Sequence, residues 1–212
     1  MSHVSFSRRW VLNASLVALA SIALGPFTAR GEPVGSPGDR IGVLYGTLIQ
    51  TMQQAKQLGV KGRFDRLAPI LAETYDVPSM SRTAVGQSWD TLNPAQQASI
   101  IDAFTRMMVA NYASQFDGFS GERFEVLQTI DRAPADKLVK THLVQANGKA
   151  VALDYLMRKS GEGWKVVDIY LDGTISELAS RRAEFSTILK SGGPDALIGS
   201  LRKQGDKLLA GA

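Results

Sequence analysis

The chain has 212 residues, 44% of them hydrophobic and 21% charged, with two histidines and no cysteine. That composition excludes a disordered polypeptide and a disulfide-stapled scaffold, so the core must hold by packing alone. The formal net charge is +4, but residues 1–31 hold Arg8, Arg9 and Arg30 and no acid, which leaves +1 on the remainder. With no retained basic patch, nucleic acid is not an expected partner.

The first 31 residues have the layout of an export signal. Met1–Arg9 is basic, Val11–Leu24 is apolar, Gly25-Pro26 breaks the run, and Ala29-Arg30-Gly31 offers small residues for cleavage. The apolar run of about 14 residues is short of the roughly 20 that a spanning helix needs. Ser7-Arg8-Arg9-Trp10-Val11-Leu12 resembles a twin-arginine motif, with Val11 where Phe is usual, so the general secretory and twin-arginine routes both stay open. The expected location is the periplasm. Residues 32–38, with two prolines and two glycines, read as a flexible leader, and residues 39–212 as one domain.

Helical periodicity begins near Asp39, a candidate cap, and carries Ile41, Leu44, Tyr45, Leu48, Ile49 and Met52 on one stripe. Gly59–Gly62 ends it. A second helix is expected from Phe64 to about Tyr75, with a kink or boundary at Pro69. A short helix follows over Pro78–Gly86. Asn93-Pro94 opens the longest one, which runs through Ile100, Ile101, Phe104, Met107, Met108, Tyr112 and Phe116 to Asp117-Gly118.

Beyond Gly121 the texture changes to alternation. Phe124, Val126, Gln128 and Ile130 form a first strand, and Leu138–Gln145 a second. Asn147-Gly148 is a two-residue hairpin signal. Val151, Leu153, Tyr155 and Met157 mark a third strand, and Trp164–Leu171 a fourth. Helices near Ser176–Lys190 and Pro194–Leu209 close the chain. Helices, then an antiparallel four-strand meander, then helices indicate an α+β fold.

Little of this chain suggests catalysis. His142 stands alone on a strand without triad partners, and one histidine without cysteine makes no zinc site. Gly161-Glu162-Gly163 lacks the spacing of a phosphate loop. No metal and no cofactor are expected. Asp154 and Asp168 sit within strands, where an apolar pocket could turn either into a base; the ordinary reading is a hydrogen-bonded or solvated carboxylate. Arg181 and Arg182 could grip an anionic head group through the planar guanidinium, or simply form a solvated helix face. Phe104, Met107, Met108 and Tyr112 lie together on the long helix; at this spacing such residues are more often core than an adaptable pocket wall.

A wider pattern carries more weight. Phe64-x-x-Leu67-Ala68-Pro69-Ile70 with Tyr75-Asp76 precedes Gly86-Gln87-Ser88-Trp89. Then come Val151-x-Leu153-x-Tyr155, Trp164-Lys165-Val166-Val167-Asp168, and Gly173-x-x-Ser176 ahead of an Arg and Phe185. In this order, over about residues 40–205, the chain resembles the periplasmic lipid-shuttle family of the Mla (maintenance of lipid asymmetry) pathway, also called the toluene-tolerance auxiliary family. Ser180-Arg181 stands where that family usually has Tyr-Arg. In this departure the chain is similar to the hopanoid-biosynthesis-associated, HpnM-like branch.

The resemblance implies a four-stranded twisted antiparallel sheet wrapped by six to seven helices, nuclear-transport-factor-like, around an internal apolar pocket. It implies a monomeric, non-enzymatic carrier of phospholipid or hopanoid-type lipid between inner and outer membranes. An inner-membrane lipid transporter and an outer-membrane complex would be its partners. The implied tail-binding residues are Phe104, Met107, Met108, Tyr112, Val126, Leu153, Tyr155, Met157, Val167, Ile169 and Leu171, with Arg181 and Arg182 as head-group candidates. The alternatives are a cargo-free adaptor of the transporter and a lipid-modifying enzyme using Asp168 or Asp154. A carrier would need a pocket at or above the top of the usual 300–1,000 Å³ range.

Overall fold

Local capping chemistry sets where the helices begin. The computed structural model describes residues 35–132, 134–161 and 163–211; the expected export signal lies outside them. Helix α1 (Pro37–Gln53) starts just before Asp39, because Ser36 is the cap. The Ser36 hydroxyl accepts the Asp39 N–H at 3.1 Å, and the Asp39 carboxylate accepts the Ser36 N–H at 3.2 Å. Pro37 and Gly38, expected to end the leader, therefore belong to α1. Helix α2 (Ala55–Thr74) breaks its backbone at Gly59, at φ 61°. Pro69 lies inside α2 without ending it: Pro69 and Asp65, whose carbonyl its missing N–H leaves unbonded, are both exposed residues.

Asp76 caps α3 (Val77–Val85), and a 3₁₀ turn spans Gly86–Thr91. Asn93 caps α4 (Pro94–Gln115), with Gln96 completing the reciprocal pair at 2.9 and 3.1 Å, as the Asn-Pro signal predicts.

Five strands follow: β1 (Arg123–Arg132), β2 (Asp136–Val144), β3 (Ala150–Ser160), β4 (Gly163–Leu171) and β5 (Ile175–Ser176). They form one antiparallel sheet in chain order. The expected four-strand meander gains β5 because Asp172 (φ 49°) and Gly173 (φ 71°) turn the chain back, pairing Ile175 with Leu171 and Ser176 with Tyr170. The α-helices number five among the described residues, not six to seven. The two helices expected at the C-terminus are the two segments of α5 (Glu177–Leu209), which meet without a loop at Gly193 (φ 69°, ψ −170°).

The helices cover one face of the sheet. Val139, Tyr155, Met157 and Val166 meet Ile41, Leu44, Leu71, Ile100 and Leu197 in one buried cluster. Each fully buried aliphatic side chain there contributes about 1.5–3 kcal/mol. Two irregularities interrupt the pleat. Between β1 and β2 the register skips Leu127; between β3 and β4, Leu156 opposes Asp168 and Met157 opposes Val166, leaving Val167 without a partner.

Candidate functional site

An apolar cavity of about 80 Å³ lies between α4, strands β3 and β4, and the first turns of α5. Helix α4 contributes Phe104, Met107, Met108, Tyr112 and Phe116. The sheet contributes Leu153, Tyr155, Ile169 and Leu171. Met80 of α3 and Leu178 of α5 complete the apolar wall, and Asn111, Gln115, Glu177 and Arg181 add polar groups.

Eight of the eleven residues named as tail-binding candidates from the sequence line this cavity; Val126, Met157 and Val167 do not. Val126 is on the edge strand β1 and is 41% exposed. Met157 faces inward but is sealed in the core cluster. Val167 is the unpaired residue of the β4 bulge, which takes it out of phase with Ile169 and Leu171. Of the two arginines, Arg181 lines the cavity and Arg182 does not. The Arg182 guanidinium packs on the α3 C-cap, where a Cβ on Gly86 would come within 2.9 Å of its Nε.

Six lining residues were not singled out from the sequence as site candidates: Met80, Asn111, Gln115, Phe116, Glu177 and Leu178. For two of them a signal was present. Phe104, Met108, Asn111 and Gln115 continue a single i, i+4, i+7, i+11 stripe, so the pocket face of α4 turns polar in its last turns.

Tyr112 and Tyr155 of the wall also belong to a hydroxyl cluster behind it that alternation alone does not reveal. Four of the five tyrosines converge. The Tyr75 and Tyr112 hydroxyls are 2.5 Å apart. The Tyr45 hydroxyl is 2.5 Å from Thr141 Oγ1. Thr141 spends its single proton on the Leu153 carbonyl, so Tyr45 is the donor to Thr141. Tyr155 packs edge-on to Tyr45 at 6.0 Å, with its hydroxyl coupled to those of Tyr45, Tyr75 and Tyr112. Burial is the main cause that pushes all four phenols well above their ordinary pKa; the neighbouring phenols add to this at Tyr75 and act in both directions at Tyr112 and Tyr155. These groups stay neutral at any physiological pH.

Arg181 is doubly paired. Its Nε donates to Glu177 at 2.9 Å and its Nη1 to Glu184 at 3.1 Å. The carboxylates suggested as bases are engaged elsewhere. Asp168 accepts from the Ile169 N–H at 2.8 Å, the Ser176 hydroxyl at 2.6 Å and the Leu178 N–H at 3.2 Å, tying β4 to the start of α5. Asp154 is 1% exposed and accepts from Lys140 at 2.7 Å. Neither lines the cavity. His142 is half-buried on β2, opposite Glu125 and Ala152. Among the described residues there is no cluster of acids or histidines able to hold a metal ion. None of the described helices is long and apolar enough to cross a membrane.

An antiparallel sheet closed on one face by helices, with an apolar cleft between the layers, is an architecture suited to holding an apolar ligand. The chain belongs to the MlaC protein family, which matches residues 44–203. Its fold is similar to that of a phospholipid-binding protein from Ralstonia solanacearum, solved in complex with a phospholipid. The TM-score is 0.71 at 22% identity, over 81% of this chain and 98% of that one. No curated protein sequence matches the chain.

Proposed function

We propose that this protein is a periplasmic lipid carrier that holds acyl tails between α4 and the sheet and moves a phospholipid or hopanoid-type lipid between the inner and outer membranes. The observation that carries the reading is the cleft itself, with apolar walls from α4, β3 and β4 and polar groups on α4 and α5. Family membership and the phospholipid-bound structural relative support it. Each CH₂ withdrawn from water contributes about 0.8 kcal/mol, so two tails supply ample affinity without polar recognition. In this reading the chain works as a monomer and is loaded or unloaded by an inner-membrane lipid transporter, with an outer-membrane complex at the other end.

The cavity volume argues against a rigid container. About 80 Å³ is well below the 300–1,000 Å³ of drug-sized sites and below the size expected from the sequence. A carrier must therefore widen the cleft to load. The same small volume favours a second reading, a cargo-free adaptor of the inner-membrane transporter. Purification from the native host, organic extraction and mass spectrometry separate the two. A stoichiometric lipid is the expected result, and its head group decides between phospholipid and hopanoid. Protein that carries no lipid, and takes none from vesicles, rejects the carrier reading.

A further inference from the structure

The charge pattern beside the cleft bears on which head group it accepts, an inference that rests on the lipid-carrier reading. Arg181 has Glu177 one turn before it and Glu184 one turn after it on α5, and both carboxylates bind its guanidinium. The Arg181 side chain is 15% exposed and that of Glu177 is 22% exposed, so the ion pair is only partly screened by water. Gln204 Nε2 donates at 3.0 Å to Oε1 of Glu184, the oxygen that Arg181 leaves free, and fixes that carboxylate in place. Across the cleft, Asn111 and Gln115 of α4 are uncharged and bonded to each other at 3.0 Å. The triad of Glu177, Arg181 and Glu184 therefore carries a net charge of −1, with its one cation already neutralised.

Arg has five N–H groups, and two are occupied here, which leaves the Nη2 side able to donate to a phosphate oxygen. A phosphate alone would still face two carboxylates. A phosphate that carries an ammonium group on a short spacer meets both signs: its phosphate takes the free guanidinium edge and its ammonium takes Glu177 or Glu184. We propose that this triad selects lipids with zwitterionic phosphate–ammonium head groups and discriminates against net-anionic ones. Arg181 is then not a general anion site. It is one half of a charge pair matched to a dipolar head group.

The test is a competition in which the tails cancel. Delipidated protein is equilibrated with vesicles containing equal amounts of phosphatidylethanolamine and phosphatidylglycerol with identical acyl chains, and the bound lipid is extracted and quantified by mass spectrometry. The expected result is a ~2- to 5-fold enrichment of phosphatidylethanolamine, the scale of one partly exposed charge pair. Glu177→Gln and Glu184→Gln keep the side-chain shape and should each move the ratio toward parity, and the double variant should abolish the preference. Thermal melting checks that the variants fold, and the unsubstituted protein's ratio decides the matter without them. Equal uptake of the two lipids, or a preference for phosphatidylglycerol, overturns the head-group inference and leaves the carrier reading standing. Binding of neither lipid overturns both.

Discussion

Raising the pH through about 10, the ordinary pKa of tyrosine, should unfold the protein through its buried hydroxyl cluster. Tyr45, Tyr75, Tyr112 and Tyr155 are all pushed upward by burial, so the folded state keeps four protons that the unfolded chain releases. For an acid whose folded pKa is raised, the stabilisation is complete below the unfolded value and is lost as pH rises above it. Each such tyrosine removes about 1.4 kcal/mol per pH unit beyond pH 10, and four remove about 5–6 kcal/mol by pH 11. That matches the lower end of the 5–15 kcal/mol by which domains are stable. The assay is tyrosinate absorbance recorded together with near-ultraviolet circular dichroism. Four tyrosinates should appear in one cooperative step, coincident with loss of tertiary signal, while Tyr170, outside the cluster, ionises separately. Tyr75→Phe should reduce the alkaline slope by one tyrosine's share. Smooth ionisation of all five tyrosines near pH 10 in a protein that stays folded would refute the reasoning.

Two substitutions test how the walls of the cleft are held. Asp168→Ala removes an acceptor for three donors at the start of α5 and should lower stability by about 2–4 kcal/mol, seen as a fall in Tm. Arg63→Met removes the bonds from Nε to the Ala113 carbonyl at 2.7 Å and from Nη1 to the Ala55 carbonyl at 2.9 Å. It should cost about 2–4 kcal/mol, lowering the urea midpoint at constant slope, with faster amide exchange at the C-terminal end of α4.

The parts of the fold legible in the sequence are those set by neighbours a few residues apart. Asn93-Pro94 with Gln96 is a self-contained start signal, and α4 begins there. Asn147-Gly148 does mark the β2–β3 turn, but not as the expected two-residue hairpin: the Gly148 N–H donates to the Gln145 carbonyl at 2.8 Å, the Gln145 N–H to the Lys149 carbonyl at 2.9 Å, and Gly148 (φ 83°) but not Asn147 is left-handed. The helix count differs where a glycine breaks a helix without a loop between its two segments. Gly193 turns the backbone at φ 69°, and the helix resumes at once behind Pro194, a residue well suited to a first helical turn. The hydroxyl cluster was not legible because its members come from α1, the C-cap of α2, α4, β2 and β3, and only tertiary packing brings them together.

Val167 shows why the site was only partly legible. A strand's period of two places Val167, Ile169 and Leu171 on one face, and only the last two reach the cleft. The phase changes because β4 carries one extra residue relative to β3, so that Val166 takes the buried place opposite Met157. The constraint that holds Val166 there comes from the far end of α2. Tyr75 bridges to Val166 as an isolated parallel pair, and the Asp76 N–H donates to the Val166 carbonyl at 2.9 Å. The Tyr75 hydroxyl bonds that of the cleft-lining Tyr112 and Asp76 caps α3, so one short segment sets the strand phase, braces the wall of the cleft and starts the helix that supplies Met80. A contact across some ninety residues of sequence thus holds Val166 in the core and leaves Val167 out of the cleft, and no window that reads β4 by itself contains that information.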